Sequence, residues 1–345
     1  MVAHPPVYVE GKTGRSLILV GEPLANLERH IAGRRTVAVT DQNVKKHWQH
    51  LLAGMDTIVI GCGEKYKNLV TVEFIYDQLI NRQVDRSTLL VGIGGGITCD
   101  ITGFVASTYM RGISFGLVPT SLLAQVDASV GGKTGVNHRG FKNMIGAFNQ
   151  PEFVLCDPEL LTTLPEEEIT CGLAEIVKHA AIGDPELFAF LEEKVAAIKS
   201  RDLDILARLV HRSVTIKAKI VNQDERESGP RRILNFGHTF GHALEKATGI
   251  AHGRAVSIGM VLAARLSQEL VGLPASESDR LERLLHDLRL STRLPVPGAK
   301  IARAMAMDKK RQQDTIFFVL LRAIGRGQIR QVSLATLQKW LSGSA

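Results

Sequence analysis

The segment Thr88-Leu-Leu-Val-Gly-Ile-Gly-Gly-Gly-Ile-Thr-Cys-Asp100 gives the most direct indication of how the first half of the chain folds. Its first residues are apolar without alternation, which is typical of a strand buried on both faces of a parallel sheet. The glycines that follow, between a strand and a helix, let backbone N–H groups and the positive helix end meet a pyrophosphate. The GxGGG pattern departs from GxGxxG, so a tight turn without a ligand is the alternative.

The surrounding sequence alternates further strand-like runs with stretches of helical spacing. Apolar runs cover residues 16–20, 36–40, 57–60 and 115–118, and helical spacing covers residues 23–31, 44–52 and 70–82. This alternation predicts a parallel sheet of the dinucleotide-binding kind, which binds ligands at the carboxyl ends of its strands. Asp41 follows one of these runs, where an acidic residue accepts hydrogen bonds from an adenosine ribose. It could equally be the N-cap of the next helix.

The composition indicates a globular protein with a small anionic ligand. The 345 residues, 45% of them hydrophobic and 22% charged, are enough for two domains with separate cores. The net charge of +7 suits an anionic partner, but dispersed basic residues and only 5% aromatics argue against nucleic acid. We expect no membrane span and no signal segment. The cysteines at 62, 99, 156 and 171 lack CxxC spacing, which predicts neither a zinc ribbon nor disulfides and favours the cytoplasm.

The sequence changes character after Thr163-Leu-Pro165. Residues 166–290 have helical period almost throughout, including a long candidate helix at 202–223 that carries Lys217. We therefore predict a Rossmann-like α/β nucleotide-binding domain over residues 1–164 and an all-helical metal- and substrate-binding domain over residues 165–345. A strand-like run at residues 315–321 lies near the end of the chain.

Polar and basic side chains are concentrated in a glycine-rich stretch before that boundary. They are Arg111, Asp127, Lys133, Lys142 and Asn143. A single lysine there would be consistent with an ordinary solvated loop. Several cations among glycines instead predict a pocket that holds phosphate and carboxylate groups together.

Three histidines lie close together in the second half, in Asn235-Phe-Gly-His-Thr-Phe-Gly-His242 and in His252-Gly253. His238 and His242 are four residues apart, so both rings project from one face of a helix. Neutral imidazole is a common metal ligand, and catalytic sites usually have three protein ligands and one open position. Spacing alone does not decide which of the two histidines would be a ligand.

A carboxylate that could complete such a site is present upstream. Glu175 lies in Gly172-Leu-Ala-Glu-Ile-Val-Lys178, where it shares a helix face with Lys178. An ordinary surface ion pair of little energetic value is the alternative for these two residues. The nearby histidines favour a metal site.

Together these motifs resemble those of the 3-dehydroquinate synthases, within the wider sugar-phosphate cyclase family. The resemblance extends from about residue 36 to residue 320, and its specific blocks are residues 111–143, 172–178, 224–242 and His252-Gly253. It implies an N-terminal nucleotide-binding domain joined to a C-terminal helical domain, with the site between them. It also implies NAD and a zinc ion as cofactors, with Co²⁺ as an alternative metal. We expect a homodimer.

The resemblance assigns roles residue by residue. It implies that Glu175, His238 and His252 hold the metal, while His242 lies near the substrate and Asp127 near the nicotinamide. The residues implied to bind the substrate are Arg111, Lys133, Lys142, Asn143, Lys178, Lys217, Arg231 and Asn235. The residues implied to contact NAD are Asp41, Glu64, Lys67, Gly95, Gly96, Ile97, Asp100, Thr120, Ser121 and Thr163, with Lys133, Lys142 and Asn143 shared between the two ligands. Lys309 or Lys310 would close the phosphate pocket, and the choice between them stays open.

Four positions depart from patterns associated with the family, namely Cys99, Glu167, Pro230 and Arg254. None of them replaces an implied metal ligand or lysine. The departures therefore concern only the finer geometry around the metal and between the domains.

The reaction that the resemblance implies belongs to the shikimate pathway of aromatic amino acid biosynthesis. It converts 3-deoxy-D-arabino-heptulosonate 7-phosphate to 3-dehydroquinate and phosphate by oxidation at C5, phosphate elimination, reduction and aldol closure. The metal would polarise the C4 and C5 oxygens, and NAD would end the cycle as it began. The alternatives are a cyclase of the 2-deoxy-scyllo-inosose or 2-epi-5-epi-valiolone synthase type and a metal-dependent polyol dehydrogenase. Lys133, Asn143 and Arg231, as a carboxylate-binding set, favour the acidic substrate.

Overall fold

The computed structural model describes residues 4–307 and 315–343. The chain forms two compact units, the first comprising Met1–Ile169 and Leu203–Arg226 and the second comprising Thr170–Asp202 and Glu227–Ala345. The sequence predicts a single helical domain after residue 164. The segment Leu203–Arg226 differs from that assignment, because it packs with the first unit.

The first unit is built mainly around β-strands. They are β1 (Val7–Gly11), β2 (Gly14–Val20), β3 (Thr36–Asp41), β4 (Asp56–Ile60), β5 (Leu89–Gly94), β6 (Phe115–Pro119), β7 (Lys133–His138), β8 (Phe141–Phe148) and β9 (Phe153–Cys156). Seven of them form one sheet in the order β1-β2-β9-β6-β5-β3-β4, while β7 and β8 form a separate hairpin. All neighbours in the large sheet are parallel except β1 and β2. The predicted parallel sheet is therefore confirmed.

In the first unit every strand predicted from an apolar run is present, and the sequence does not predict four further strands, β1, β7, β8 and β9. β9 is a completely buried Phe-Val-Leu-Cys, and four residues are too few to show a period. β1 and β7 alternate less clearly between buried and exposed positions. These elements form through pairing with strands distant in sequence, which local pattern does not report.

The helices of the described residues divide between the units. They are α1 (Glu28–Ile31), α2 (Gln42–Trp48), α3 (Leu69–Asn81), α4 (Gly96–Thr108), α5 (Glu166–Gly183), α6 (Pro185–Glu193), α7 (Val195–Lys199), α8 (Leu203–Gln223), α9 (His238–Thr248), α10 (His252–Val271), α11 (Ala275–Asp287), α12 (Gly298–Met307) and α13 (Leu334–Gly343). The predicted helix at residues 23–31 is only a 3₁₀ turn followed by α1. Ala32 and Gly33 then adopt positive φ, which ends the helix.

Helix α8 belongs to the first unit because its apolar face is buried there. The helix is strongly amphipathic, with Leu206, Leu209, Val210 and Val214 fully buried. It packs along β1 and β2. The Asn222 side chain donates a hydrogen bond to the Tyr8 carbonyl and accepts one from the Glu10 amide, which fixes the end of the helix to the edge strand.

The sheet changes direction between β3 and β5. β4 lies beside β3 on one side and β5 lies on the other, so the connections after β3 and β5 leave in opposite directions. In open α/β sheets such a point forms a crevice at the carboxyl ends of the strands, where ligands bind. Asp41 ends β3 and Gly94 ends β5, which places the predicted nucleotide-binding residues at this edge.

The second unit is helical with one exception. The strands β10 (Thr315–Ala323) and β11 (Arg326–Ser333) pair as an antiparallel hairpin. The strand-like run at residues 315–321 is therefore confirmed, and the unit is not all-helical. Lys309 and Lys310 lie outside the described residues. Within those residues, no helix has both the length and the apolarity needed to cross a bilayer.

Glycines allow the helices of the second unit to touch at their backbones. A Cβ at Gly259 in α10 would lie 2.0 Å from the carbonyl oxygen of Gly237, and one at Gly241 would lie 3.2 Å from that of Ala255. Interiors are packed too densely to accept such an atom without displacing a helix. The helices α9 and α10 therefore approach closely at these glycines.

Candidate cofactor and metal sites

The glycine-rich turn connects β5 to α4 at the carboxyl edge of the sheet. Gly95 is the N-cap of α4, and a Cβ at Gly94 would lie 2.5 Å from the side chain of Thr98. The turn therefore requires glycine, and it brings the N–H groups of the first helical turn, including those of Gly96 and Ile97, to this edge. Helix N-termini of this kind bind phosphate groups. Thr120 and Ser121 follow the neighbouring β6, and both side chains are buried.

Asp41 adopts the N-cap role that the sequence left open. Its Oδ1 accepts hydrogen bonds from the amides of Asn43 at 2.9 Å and Val44 at 3.1 Å. Its Oδ2 accepts from the Thr98 hydroxyl at 3.2 Å, which joins the ends of β3 and α4. The carboxylate is thus held beside the glycine-rich turn, and its contact with a ribose stays a prediction.

A buried lysine joins several of the residues implied to contact NAD. Lys67 is only 6% exposed, and its ammonium contacts the carboxylate of Asp100 and lies 2.5 Å from Asn143 Oδ1. Glu64 belongs to the same neighbourhood, since it accepts a hydrogen bond of 2.8 Å from Asn137. Burial raises the pKa of Asp100 to about 6, although the charge of Lys67 opposes that shift. The structure therefore places these polar groups in one network.

Lys217 and Asp127 also lie together in the first unit. Asp127 belongs to a π-helical turn, Ala124–Ala128, which widens the backbone locally. Lys217 reaches it from α8, and its ammonium lies 2.5 Å from both the backbone oxygen and Oδ1 of Asp127. The lysine is 5% exposed, so the acidic partner compensates a charge that would otherwise be costly to bury.

The remaining residues predicted in the first unit are more exposed. Lys133 begins β7, and Lys142 and Asn143 lie on β8, and all three residues are exposed. Asn143 and Arg111 have positive φ, which is uncommon for residues with side chains and marks functional turns often enough to be informative. Thr163 accepts a hydrogen bond of 3.2 Å from the Trp48 indole.

In the second unit, Glu175 lies at the centre of the candidate metal site. It is fully buried within α5, as is Lys178 one turn later at 2% exposure, and the two form an ion pair. The alternative of an ordinary surface pair is therefore wrong. Oε1 of Glu175 has no hydrogen-bond partner of good geometry among the described residues, which is unusual for a buried carboxylate oxygen.

Two imidazoles face that oxygen. Nε2 of His238 and Nε2 of His252 each lie 3.5 Å from Glu175 Oε1. Their other nitrogens have acceptors, since Nδ1 of His238 lies 3.3 Å from the Phe236 carbonyl and Nδ1 of His252 lies 2.6 Å from Glu245 Oε1. A carbonyl or carboxylate only accepts, so each Nδ1 carries a proton and the Nε2 atom of each ring faces Glu175.

This donor set fits a divalent metal ion. Ligand atoms of Glu175, His238 and His252 all lie within 4.8 Å of one another. Two imidazoles and one carboxylate, each supported by a further hydrogen bond or ion pair, form a known kind of catalytic zinc site. His242 is outside this group, with its exposed ring edge-on to that of His238 at a centroid distance of 5.3 Å. Tertiary structure thus distinguishes the two histidines.

The charges around Glu175 have clear effects on the titration of all three side chains. Burial raises the pKa of Glu175, but Lys178, His238 and His252 outweigh it and hold the pKa well below its usual value. Burial and the Lys178 charge lower the pKa of His238 to about 3, which keeps that ring neutral. Burial also lowers the pKa of His252, but Glu175 and Glu245 raise it to about 10. A metal ion at His252 would have to displace its proton.

Arg231 and Asn235 lie in the 3₁₀ turn Pro230–Asn235 that precedes α9. Arg231 is 2% exposed, and Asn235 donates a hydrogen bond of 2.6 Å to Glu227. The N-cap of α9 is Gly237, which makes no side-chain capping hydrogen bond. Pro230 occupies the first position of the turn, where its missing N–H has no cost.

The other departures from the family pattern are accommodated locally. Cys99 is buried in α4 with its thiol 3.6 Å from the Gly94 carbonyl. Glu167 lies in the first turn of α5, where a negative charge is favourable, and Arg254 is exposed near the start of α10.

Sequence reasoning missed Glu245, the partner of His252. Its signal was available, because Glu245 follows His238 by seven residues and His242 by three, so all three share one face of α9. A glutamate on the histidine face of a helix is a candidate hydrogen-bond partner for a metal-ligating imidazole.

Fold and side chains first define a class of protein: an α/β unit with the topology of dinucleotide-binding folds, joined to a mainly helical unit whose carboxylate–imidazole cluster fits a divalent metal. Family models for 3-dehydroquinate synthase match the chain in two parts, N-terminal over residues 57–171 and C-terminal over residues 172–311. A 3-dehydroquinate synthase from Halorhodospira halophila (strain DSM 244 / SL1) is 45% identical over 307 residues, 87% of each chain. The chain belongs to the 3-dehydroquinate synthase family, as its motifs predicted, and it is an enzyme.

Two solved structures share the fold over nearly the whole chain. The 2-epi-5-epi-valiolone synthase from Streptomyces hygroscopicus subsp. jinggangensis 5008, with NAD⁺ and Zn²⁺ bound, is 27% identical with a TM-score of 0.84, covering 100% of this chain and 99% of that one. A 2-deoxy-scyllo-inosose synthase complexed with carbaglucose-6-phosphate, NAD⁺ and Co²⁺ has a TM-score of 0.87 at 24% identity, covering 98% and 99%. The predicted fold class is therefore confirmed.

Proposed function

We propose that the protein converts 3-deoxy-D-arabino-heptulosonate 7-phosphate to 3-dehydroquinate and phosphate, in the shikimate pathway. The observation that carries the proposal is the convergence of Glu175, His238 and His252 in a chain of this family. The 45% identical relative is a 3-dehydroquinate synthase, which favours this reaction over those of the other cyclases.

Glu175, His238 and His252 would hold the metal ion, Zn²⁺ or Co²⁺. When bound, a divalent ion supplies Lewis acidity that lowers the pKa of a coordinated alcohol and polarises the derived ketone. Lys178 keeps Glu175 ionised, because its ammonium is buried beside that carboxylate. His242 would contact the substrate rather than the metal, since it lies beside His238 but outside the ligand group.

The carboxyl edge of the sheet in the first unit would bind NAD. When bound, NAD supplies a hydride acceptor for the substrate and later returns the hydride to it. Gly95, Gly96 and Ile97 would contact the pyrophosphate through backbone N–H groups at the start of α4. The remaining contacts would come from Asp41, Glu64, Lys67, Asp100, Thr120, Ser121 and Thr163, with Asp127 toward the nicotinamide. Lys67 supports this role by ordering Asp100 and Asn143 through direct contacts.

The cationic side chains would bind the anionic groups of the substrate. In the first unit these are Arg111, Lys133, Lys142 and Lys217, together with Asn143; in the second they are Lys178 and Arg231, together with Asn235. Arg231 supports the assignment because it is only 2% exposed and lies in the turn that precedes the helix carrying His238, where a guanidinium can bind a carboxylate in a desolvated position. We propose that Lys133, Asn143 and Arg231 bind the carboxylate, which the neutral sugar phosphates lack.

Phosphate release from the heptulosonate phosphate tests the proposal. We expect release with NAD and Zn²⁺ present and none when either is withheld from stripped protein. Turnover of glucose 6-phosphate or sedoheptulose 7-phosphate in preference would assign the chain to another cyclase activity. Accumulation of NADH with a polyol would assign it to the dehydrogenases. We further propose a cytoplasmic homodimer, which sedimentation of the purified full-length chain would test.

A further inference from the structure

The backbone of His252 is fixed independently of its ring. His252 is the first residue of α10, and the amide of Gly253 donates a hydrogen bond of 3.3 Å to the thiol of Cys171 in α5. A Cβ at Gly253 would lie 2.5 Å from the Cα of Cys171, so the two helices touch at this point. What remains variable is the orientation of the His252 ring about its two side-chain torsions.

The Nδ1 side of the His252 ring faces the carboxylate of Glu245. Oε1 of Glu245 lies 2.6 Å from Nδ1 of His252, while Nε2 on the far side of the ring lies 3.5 Å from Glu175. The contact between Glu245 and Nδ1 has the length of a strong charge-assisted hydrogen bond. The side chain of Glu245 is only 12% exposed, and limited hydration strengthens such a bond further.

The helix that supplies one metal ligand also supplies the partner of another. Glu245 and His238 are both on α9, two turns apart on the same face, whereas His252 begins α10. The orientation of His252 relative to His238 therefore depends on a bond within the α9–α10 pair. His238 itself is oriented by the Phe236 carbonyl, a backbone group that substitution leaves in place.

We propose that Glu245 is a positioning residue of the metal site, holding the imidazole of His252 with Nε2 directed at Glu175 and His238. The inference rests on the metal site proposed above. Its consequence is that metal affinity depends on a residue outside the ligand set. Loss of a carboxylate that orients a ligating histidine typically weakens metal binding by roughly 10- to 100-fold.

The test measures metal binding directly, on the full-length chain. Glu245→Ala should weaken Zn²⁺ binding in competition with a chromophoric chelator by roughly 10- to 100-fold. It should also alter the visible absorption of the Co²⁺-loaded protein, since that spectrum reports ligand geometry. Glu245→Gln keeps a neutral acceptor in the same place, so its Zn²⁺ affinity should fall between those of the wild type and Glu245→Ala.

Glu269→Ala is the matched control. Glu269 Oε1 accepts a hydrogen bond of the same 2.6 Å length from the ring nitrogen of Trp340, also in the second unit. Its loss should leave Zn²⁺ affinity and the Co²⁺ spectrum unchanged. An equal loss of affinity in Glu269→Ala would show a general effect of destabilisation and overturn the proposal.

The outcomes separate this inference from the proposed metal site. A wild-type chain that binds no zinc would overturn both. A wild-type chain that binds zinc, with the same affinity in Glu245→Ala, would overturn the positioning role alone. If Glu245→Ala does not fold, Glu245→Gln decides, and an affinity equal to that of the wild type would then refute the proposal.

Discussion

Glu175→Gln distinguishes two roles of one carboxylate, which are compensation of the buried Lys178 charge and binding of the metal ion. Glu175 is fully buried, and its charge compensates the ammonium of Lys178, which is 2% exposed. The amide keeps the shape of the side chain but removes the charge. Leaving a buried charge without its partner costs about 3–5 kcal/mol. In a domain of this size, a destabilisation of about 1 kcal/mol lowers the thermal unfolding midpoint, Tm, by roughly 2–4 °C. We therefore expect Tm to fall by about 10 °C.

The assay is thermal or denaturant unfolding in excess chelator, so that metal binding does not contribute to stability. Lys178→Met should be destabilising by a similar amount, while the double variant Glu175→Gln/Lys178→Met should recover much of the loss, because neither charge is then buried alone. Glu193→Gln is a control, since its ion pair with Lys194 is exposed and should contribute less than about 1 kcal/mol. Additive effects of the two single substitutions would refute the proposed pairing.

Metal content is the second readout of the same variants. Glu175→Gln should lose zinc and activity together, and the double variant should remain without zinc although its stability recovers. This divergence distinguishes a ligand from a residue that only stabilises the fold. If Glu175→Gln copurifies with one equivalent of zinc and turns over normally, the ligand assignment is wrong.

Three further predictions concern the cofactor, the substrate and pH. NAD well below the substrate concentration should support complete conversion without net NADH absorbance, whereas stoichiometric NADH would indicate a polyol dehydrogenase. Arg231→Ala should lower kcat/KM for the heptulosonate phosphate by about 30-fold to several thousandfold, from roughly 2–5 kcal/mol for a lost buried charge contact, and should leave any trace reaction with glucose 6-phosphate unchanged. Equal proportional losses would refute carboxylate recognition. Because the pKa of Asp100 is raised to about 6, folded protein takes up its proton before unfolded protein does, and stability from this group rises as pH falls from about 6 to about 4. Wild type should therefore gain up to about 3 kcal/mol relative to Asp100→Asn over that range in denaturant titrations, and a pH-independent difference would contradict the assignment.

Local sequence determined most of the first unit. Strands such as β3, β5 and β6 are buried on both faces, so their unbroken apolar runs are visible without a partner. The glycine-rich turn is equally local, because close packing against Thr98 leaves no room for a Cβ at Gly94. The side-chain types needed for chemistry were also evident, since a pair of histidines one helical turn apart is a property of the chain itself.

Tertiary structure alone decided which of these residues act together. Glu175 and His252 meet because α5 and α10 touch at Cys171 and Gly253, a contact between segments far apart in sequence. Periodicity places both His238 and His242 on one face, and only the packing of that helix directs His238 at the buried carboxylate. Amphipathic spacing predicts that a helix buries one face but not against which partner, which is why α8 was assigned to the wrong unit. Such contacts are set by the close packing of whole helices and strands. The local pattern of one element carries no information about the surface of the element against which it packs.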